Sequence, residues 1–168
     1  MAVLVKGPVG IDESELLLSG GCDALITAIT PRAFLDGNPK IKQLFPDTYT
    51  VEKEYYKKTN IFPLMHVIAI RKDVVKADSA LPKAVFEMYS KAKYQAYDNL
   101  ETTTSLKVSL PWVNQEFEET RNLMGKNFWT YGIESNRKEL ELVKRYVYEQ
   151  GLVKHQINVE ELFHPSTL

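Results

Sequence analysis

His66 is the residue of this sequence that could most readily do acid–base chemistry. It lies in residues 59–73, TNIFPLMHVIAIRKD, where apolar and β-branched side chains dominate. An imidazole with an ordinary pKa of about 6.5 can exchange protons near neutrality. Two interpretations stay open for it: a proton donor that faces a cleft, or a core histidine whose ring nitrogens bind the backbone.

Thr30 and Arg32 follow a second apolar segment, residues 23–29, which the pattern predicts to be a strand. Ligands of open α/β folds gather outside the carboxyl ends of strands. The planar fork of an arginine meets a carboxylate through two parallel bonds, and a threonine hydroxyl can donate one more. Arg32 is equally compatible with a surface role that braces the connector, and a threonine at a strand end needs no ligand to explain it.

The strands that would position these residues are few. Residues 65–70 carry apolar side chains on both faces, which predicts a strand buried on both sides within an α/β fold. With residues 23–29 this gives two or three strands, whereas sheets usually have about 4 to 6. The remaining strands should therefore come from another chain or from a longer parent sequence.

Most of the chain shows helical spacing instead. Helices are predicted for residues 11–19, 51–58, 81–100, 111–124 and 136–150, and a last short helix from residue 158. Asn136 with Glu139 has the spacing of a capping box. On the long helix the predicted buried stripe is Leu81, Val85, Met88, Ala92 and Ala96, and Tyr94 and Tyr97 indicate packing rather than a cofactor site.

Composition limits the classes of function. The 168 residues suggest one domain, and 44% hydrophobic with 26% charged residues is typical of a globular protein. A net charge of -1 argues against nucleic acid as a partner. No phosphate loop and no metal-ligand spacing is present, so we expect neither a cofactor nor a metal, and Cys22 is expected to act as a small buried hydrophobe.

The sequence as written carries no secretory signal and no run of about 18 apolar residues that could span a membrane. We therefore expect a cytoplasmic protein without a membrane partner. A periplasmic location would apply if the native N-terminus is missing from the sequence.

Four separated segments are similar, in order and spacing, to one known family. They are DALITAITPRAF at residues 23–34, IFPLMHVIAIRKDV at 61–74, FWTYGIESNRKELE at 128–141 and YEQGLVKHQINVEELFHPSTL at 148–168. Together they resemble the C-terminal half of the 4,5-dihydroxyphthalate decarboxylase family, a branch of the type 2 periplasmic-binding-protein superfamily.

The resemblance implies a partial α/β fold of the periplasmic-binding-protein type, with few strands and a helix-rich C-terminal half. Residues 1–29 would be a remnant of the second lobe, residues 30–47 a hinge connector, and residues 48–168 the C-terminal part of the first lobe. Family members are longer, so the resemblance implies a truncated fragment. An incomplete lobe exposes sheet edge and apolar surface, which predicts a homo-oligomer.

The implied function is binding or decarboxylation of a small aromatic carboxylate in an interlobe cleft. Arg32, Thr30 and Tyr131 would bind the substrate, and His66 would be the catalytic proton donor. Two alternatives stay open. One is a solute-binding protein of a transporter, because the same fold serves both functions. The other is an inactive half-protein that forms an oligomer.

Overall fold

The computed structural model describes residues 6–168, and this part of the chain is helical. Its α-helices are α1 (Glu13–Leu18), α2 (Arg32–Leu35), α3 (Thr48–Thr59), α4 (Lys72–Ala77), α5 (Leu81–Glu101), α6 (Val113–Met124) and α7 (Arg137–Glu149). Short 3-10 turns lie at Glu134–Asn136, before α7, and at Val159–Leu162 and Pro165–Thr167, after it. The described residues form two compact units, which divide between Lys58 and Thr59.

The first unit is built from short helices with local caps. The Asp12 carboxylate accepts the backbone N–H of Glu15 at 2.8 Å and so begins α1, which ends before the positive-φ residue Gly20. The buried hydroxyl of Ser14 accepts the N–H of Ala33 at 3.4 Å, which ties α1 to α2. The helix predicted for residues 51–58 is confirmed as α3.

The second unit packs α5 against α6 and against the last turn, Pro165–Thr167. Its buried apolar side chains are Phe117, Ile133 and Val159. Phe117 contacts the rings of Tyr97 and Phe128 at centroid distances of 6.4 and 5.9 Å. The helices predicted for residues 81–100, 111–124 and 136–150 are confirmed as α5, α6 and α7, because apolar spacing and helix ends specify them locally.

The predicted α/β fold of the periplasmic-binding-protein type is wrong for this structure, since residues 6–168 contain no strand and no sheet. Both segments predicted as strands, residues 23–29 and 65–70, run without regular secondary structure. Within the described chain, no backbone–backbone hydrogen bond involves residues 62–70. A strand exists only through ladder bonds to a neighbour, and the periodicity that suggested these strands supplies no neighbour.

The face that α5 buries also differs from the predicted stripe. Met88 is 59% exposed, and Ala92 and Ala96 are exposed as well. The buried residues of α5 are Pro82 and Lys93. The helix is therefore rotated about its axis relative to the prediction, and the rotation turns a lysine inward.

None of the helices within residues 6–168 combines the length and the apolar character that crossing a membrane requires.

Candidate functional site

Lys93 is the buried charged residue around which the candidate site is built. Its exposed fraction is 8%, and its ammonium donates a hydrogen bond to Oδ1 of Asn127 at 2.6 Å. No carboxylate oxygen of residues 6–168 lies within 4.0 Å of this ammonium. Burial lowers the pKa of Lys93 below its ordinary value, because the charged form loses its hydration.

Three tyrosine rings surround the same ammonium. Its nitrogen lies 4.6 Å from the ring centroid of Tyr94, 4.7 Å from that of Tyr131 and 5.8 Å from that of Tyr97. At these distances the negative faces of the rings attract a cation. We call Lys93, Tyr94, Tyr97, Asn127 and Tyr131 the Lys93 cluster.

Tyr97 is fixed by its neighbours in the segment after α6. Its phenolic oxygen accepts the backbone N–H of Trp129 at 2.9 Å, and its ring stacks on Phe128 at a centroid distance of 4.5 Å. Burial raises the pKa of Tyr97, against the opposing effect of the N–H of Trp129. The phenol therefore keeps its proton at neutral pH, and no acceptor for that proton appears among the described residues.

Asn136 fixes the loop that carries Tyr131. Its amide nitrogen donates to the carbonyl oxygens of Gly132 at 2.7 Å and Thr130 at 3.3 Å, and its amide oxygen accepts the Thr130 hydroxyl at 2.7 Å. The predicted capping box with Glu139 is wrong, because the Asn136 side chain makes no hydrogen bond to the start of α7. The buried amide holds the 130–132 loop instead.

Of the four residues predicted for the site, Tyr131 belongs to the Lys93 cluster. Arg32 and Thr30 lie in the first unit, and His66 and Tyr131 lie in the second. Arg32 begins α2, its side chain is 86% exposed, and its Nε lies 3.7 Å from the Asp36 carboxylate.

Thr30 and His66 are both exposed. No hydrogen bond to either side chain is present among the described residues. His66 stands on the extended segment between Asn60 and Arg71 instead of in a core, and its role as a proton donor stays a prediction.

Lys93 and Asn127 were missed by the sequence analysis, although the sequence carries a signal for Lys93. Phe86, Ser90, Lys93, Tyr97 and Leu100 are spaced by three and four residues, so they share one face of α5. A lysine in the middle of that row indicates a buried or half-buried ammonium. Asn127 lies in a turn between helices, where no comparable pattern exists.

Two shallow depressions lie on the second unit. One, of about 680 Å³, runs along α5, and its lining includes Tyr94, Glu87 and Asp98. The carboxylates of Glu87 and Asp98 disfavour the binding of an anion there. The other, of about 470 Å³, lies beside α6 and is mostly apolar. Within residues 6–168 no group of three His, Cys, Asp or Glu side chains is arranged to hold a metal ion.

Comparison with known proteins supports the resemblance seen in the four segments. No protein-family model matches the chain. The chain is 33% identical over 165 residues to 4,5-dihydroxyphthalate decarboxylase from Comamonas testosteroni. The chain is therefore similar to this decarboxylase along nearly its whole length.

The alignment with the decarboxylase covers 98% of this chain and 50% of that protein. The chain thus spans about half the length of the curated relative it matches, which is consistent with the C-terminal half of the family. The alignment with the decarboxylase therefore extends over nearly all of the sequence in which the Lys93 cluster and the four predicted site residues lie.

Proposed function

We propose that this chain serves a carboxy-lyase reaction of the 4,5-dihydroxyphthalate decarboxylase type, with a small aromatic carboxylate as its ligand. The observation that carries the proposal is the 33% identity to 4,5-dihydroxyphthalate decarboxylase along 98% of the chain. Because the identity extends over both units, it supports a function that both units serve. The alignment covers 50% of the relative, so the activity of the whole relative is a proposal for this chain.

Arg32, Thr30 and Tyr131 are proposed to bind the ligand carboxylates. The present partner of Arg32 is the exposed carboxylate of Asp36, directly after the same short helix, at 3.7 Å. Such a surface pair contributes about 0 to 1 kcal/mol, so a ligand carboxylate can replace Asp36 at little cost. Tyr131 offers a phenol and a ring, and its loop is held in place by Asn136.

His66 is proposed to donate the proton. In decarboxylation the bond between the ring carbon and the carboxylate carbon breaks, and carbon dioxide leaves. The electron pair of that bond stays on the ring carbon, which then takes a proton. An imidazolium can supply that proton, and the exposed position of His66 leaves the ring accessible to a ligand.

The test is the release of carbon dioxide from 4,5-dihydroxyphthalate by the full chain. We expect His66→Ala to lower the rate by at least about 100-fold, the lower range for loss of an acid–base group. We expect Arg32→Ala to lower the rate by weakening the binding of the substrate carboxylate. Arg71→Ala and His155→Ala are matched controls, since Arg71 also pairs with a nearby exposed carboxylate, that of Asp73 at 2.8 Å.

Equal rates in the site variants and their controls would contradict the assigned roles. Absence of both release and carboxylate binding, for the chain alone and after mixing with the unmatched half of the relative, would contradict the function. Carboxylate binding without release under both conditions would indicate a solute-binding protein instead.

Self-association is the second candidate, and exposed apolar residues of the segment between Asn60 and Arg71 favour it. These residues are Phe62, Leu64, Met65, Val67 and Ile68. The backbone of residues 62–70 makes no backbone–backbone hydrogen bond in the described chain, so these groups can pair with a second copy. Sedimentation should give a mass above that of one chain, and Val67→Lys should lower it. A mass equal to one chain with cooperative unfolding would exclude this assembly.

A further inference from the structure

The Lys93 ammonium has an unusual set of partners for a buried cation. Burying a charge is unfavourable unless an opposite charge or several hydrogen bonds compensate it. Here one hydrogen bond to a neutral amide and three ring faces do so, within the described chain. An anion beside the Lys93 ammonium would therefore stabilise it more than the Asn127 amide oxygen does.

Asn127 is the residue that accepts the hydrogen bond of the ammonium. This residue is exposed and lies in a turn after α6, while Lys93 itself is buried. The Asn127 oxygen lies 2.6 Å from the ammonium, which is where an oxygen of a bound carboxylate would lie. Because the Asn127 side chain is exposed, its rotation can move the amide oxygen away from the ammonium, and a ligand can then bind there.

Tyr97 carries a second hydrogen-bond donor, and its ring centroid lies 5.8 Å from the ammonium nitrogen. The Tyr97 phenol already accepts the N–H of Trp129, so its own proton is available for another acceptor. The half-buried Tyr131 and the exposed Tyr94 provide ring surface on either side of the ammonium. A cation, an available O–H and flanking rings together suit a carboxylate attached to an aromatic ring.

We propose that the Lys93 cluster is a binding site for a small aromatic carboxylate, which replaces the Asn127 amide oxygen on the Lys93 ammonium and lies against Tyr94 and Tyr131. The inference rests on the proposed function only for the choice of phthalate as the probe. Glu87 and Asp98 line the neighbouring depression, so the ligand enters from the Asn127 side.

The test is a titration of the full chain with phthalate, in which binding is measured by calorimetry and by the backbone amide signals in NMR spectra. We expect saturable binding that shifts the signals of Asn127 and Tyr131, and at least a tenfold loss of affinity in Lys93→Met. Lys91→Met, which removes an exposed ammonium two residues away on α5, should bind as the unaltered chain does. Unchanged affinity in Lys93→Met would overturn the proposal.

Asn127→Asp provides a second test that does not depend on the folding of Lys93→Met. The substitution places a permanent carboxylate on the ammonium, so it should fold at least as stably and lose phthalate binding. Binding that persists in Asn127→Asp would overturn the proposal.

The two proposals can also fail separately. Lys93-dependent binding without carbon dioxide release would leave this site standing and remove the decarboxylase function. Carbon dioxide release together with a phthalate affinity that Lys93→Met leaves unchanged would do the reverse.

Discussion

The Lys93 ammonium and the Asn127 side-chain oxygen are 2.6 Å apart, and they join the middle of α5 to the turn after α6. This contact spans 34 residues of sequence. It pairs a buried cation with an exposed neutral amide, where an ion pair would ordinarily be expected. The arrangement makes the stability of the second unit sensitive to the protonation of one lysine.

The free energy of unfolding should depend on pH through Lys93. The folded pKa of Lys93 lies below its ordinary value of about 10.4, so unfolding takes up a proton in the interval between the two values. Stability therefore rises with pH in that interval. Urea denaturation should show the unaltered chain gaining stability relative to Lys93→Met as the pH rises towards the ordinary lysine pKa of about 10.4. A constant difference would contradict the assignment.

Asn136→Asp should destabilise the second unit and release the loop that carries Tyr131. The substitution removes the two hydrogen bonds donated to Thr130 and Gly132 and turns a carboxyl oxygen towards their carbonyl oxygens. For a buried group we expect a loss of about 2 to 3 kcal/mol, measured by thermal or urea denaturation.

The loss from Asn136→Asp should be larger at neutral pH than near pH 4, because burial beside carbonyl oxygens disfavours the ionised carboxylate. The exposed Asn122→Asp is the matched control and should change stability by less than about 0.5 kcal/mol. Equal losses at the two positions would show that the Asn136 network does not hold the loop.

Phe117→Ala should cost about 3 to 5 kcal/mol of stability, the range for removal of a buried aromatic side chain. Phe117 is 5% exposed and contacts Tyr97 and Phe128, so the cavity opens beside the ring stack that positions the Lys93 cluster. Leu106→Ala, at an exposed position, should change stability by less than about 0.5 kcal/mol. A loss below about 1 kcal/mol for Phe117→Ala would mean that this aromatic contact is not a core.

Acid should weaken the attachment of the Val159–Leu162 turn to α7. The pKa of Glu160 lies below its ordinary value because its own backbone N–H and the Arg137 guanidinium donate to the carboxylate. This contribution is present above the ordinary glutamate pKa of about 4.3 and is lost as the pH falls through the lower folded value.

Arg137→Gln should therefore reduce the stability difference between about pH 6 and about pH 3, measured by urea denaturation. Arg145→Gln is the control, since Arg145 pairs with Glu149 on α7 at 3.5 Å and has no such connection to the turn. An equal acid response in both variants would count against the Arg137–Glu160 contact.

The sequence by itself determined five of the helices, α1, α3, α5, α6 and α7, within a few residues at each end. Helical hydrogen bonds join residues four apart, so local spacing, caps and glycines are sufficient to specify them. The sequence also carries the similarity to 4,5-dihydroxyphthalate decarboxylase, and the role predicted for Tyr131 stays a prediction. It did not predict α4, because six residues beside an apolar segment give too short a pattern.

Tertiary structure alone decided whether the two apolar segments form strands and which face of α5 is buried. Residues 23–29 and 65–70 have the composition of strands, but a strand needs the backbone of a neighbour, and the described chain provides none. The rotation of α5 was likewise decided by its contacts with α6 and with the segment around Phe128. Packing of the Tyr97 ring there turns Lys93 inward, and a lysine judged from its own residue type would have been placed on the surface.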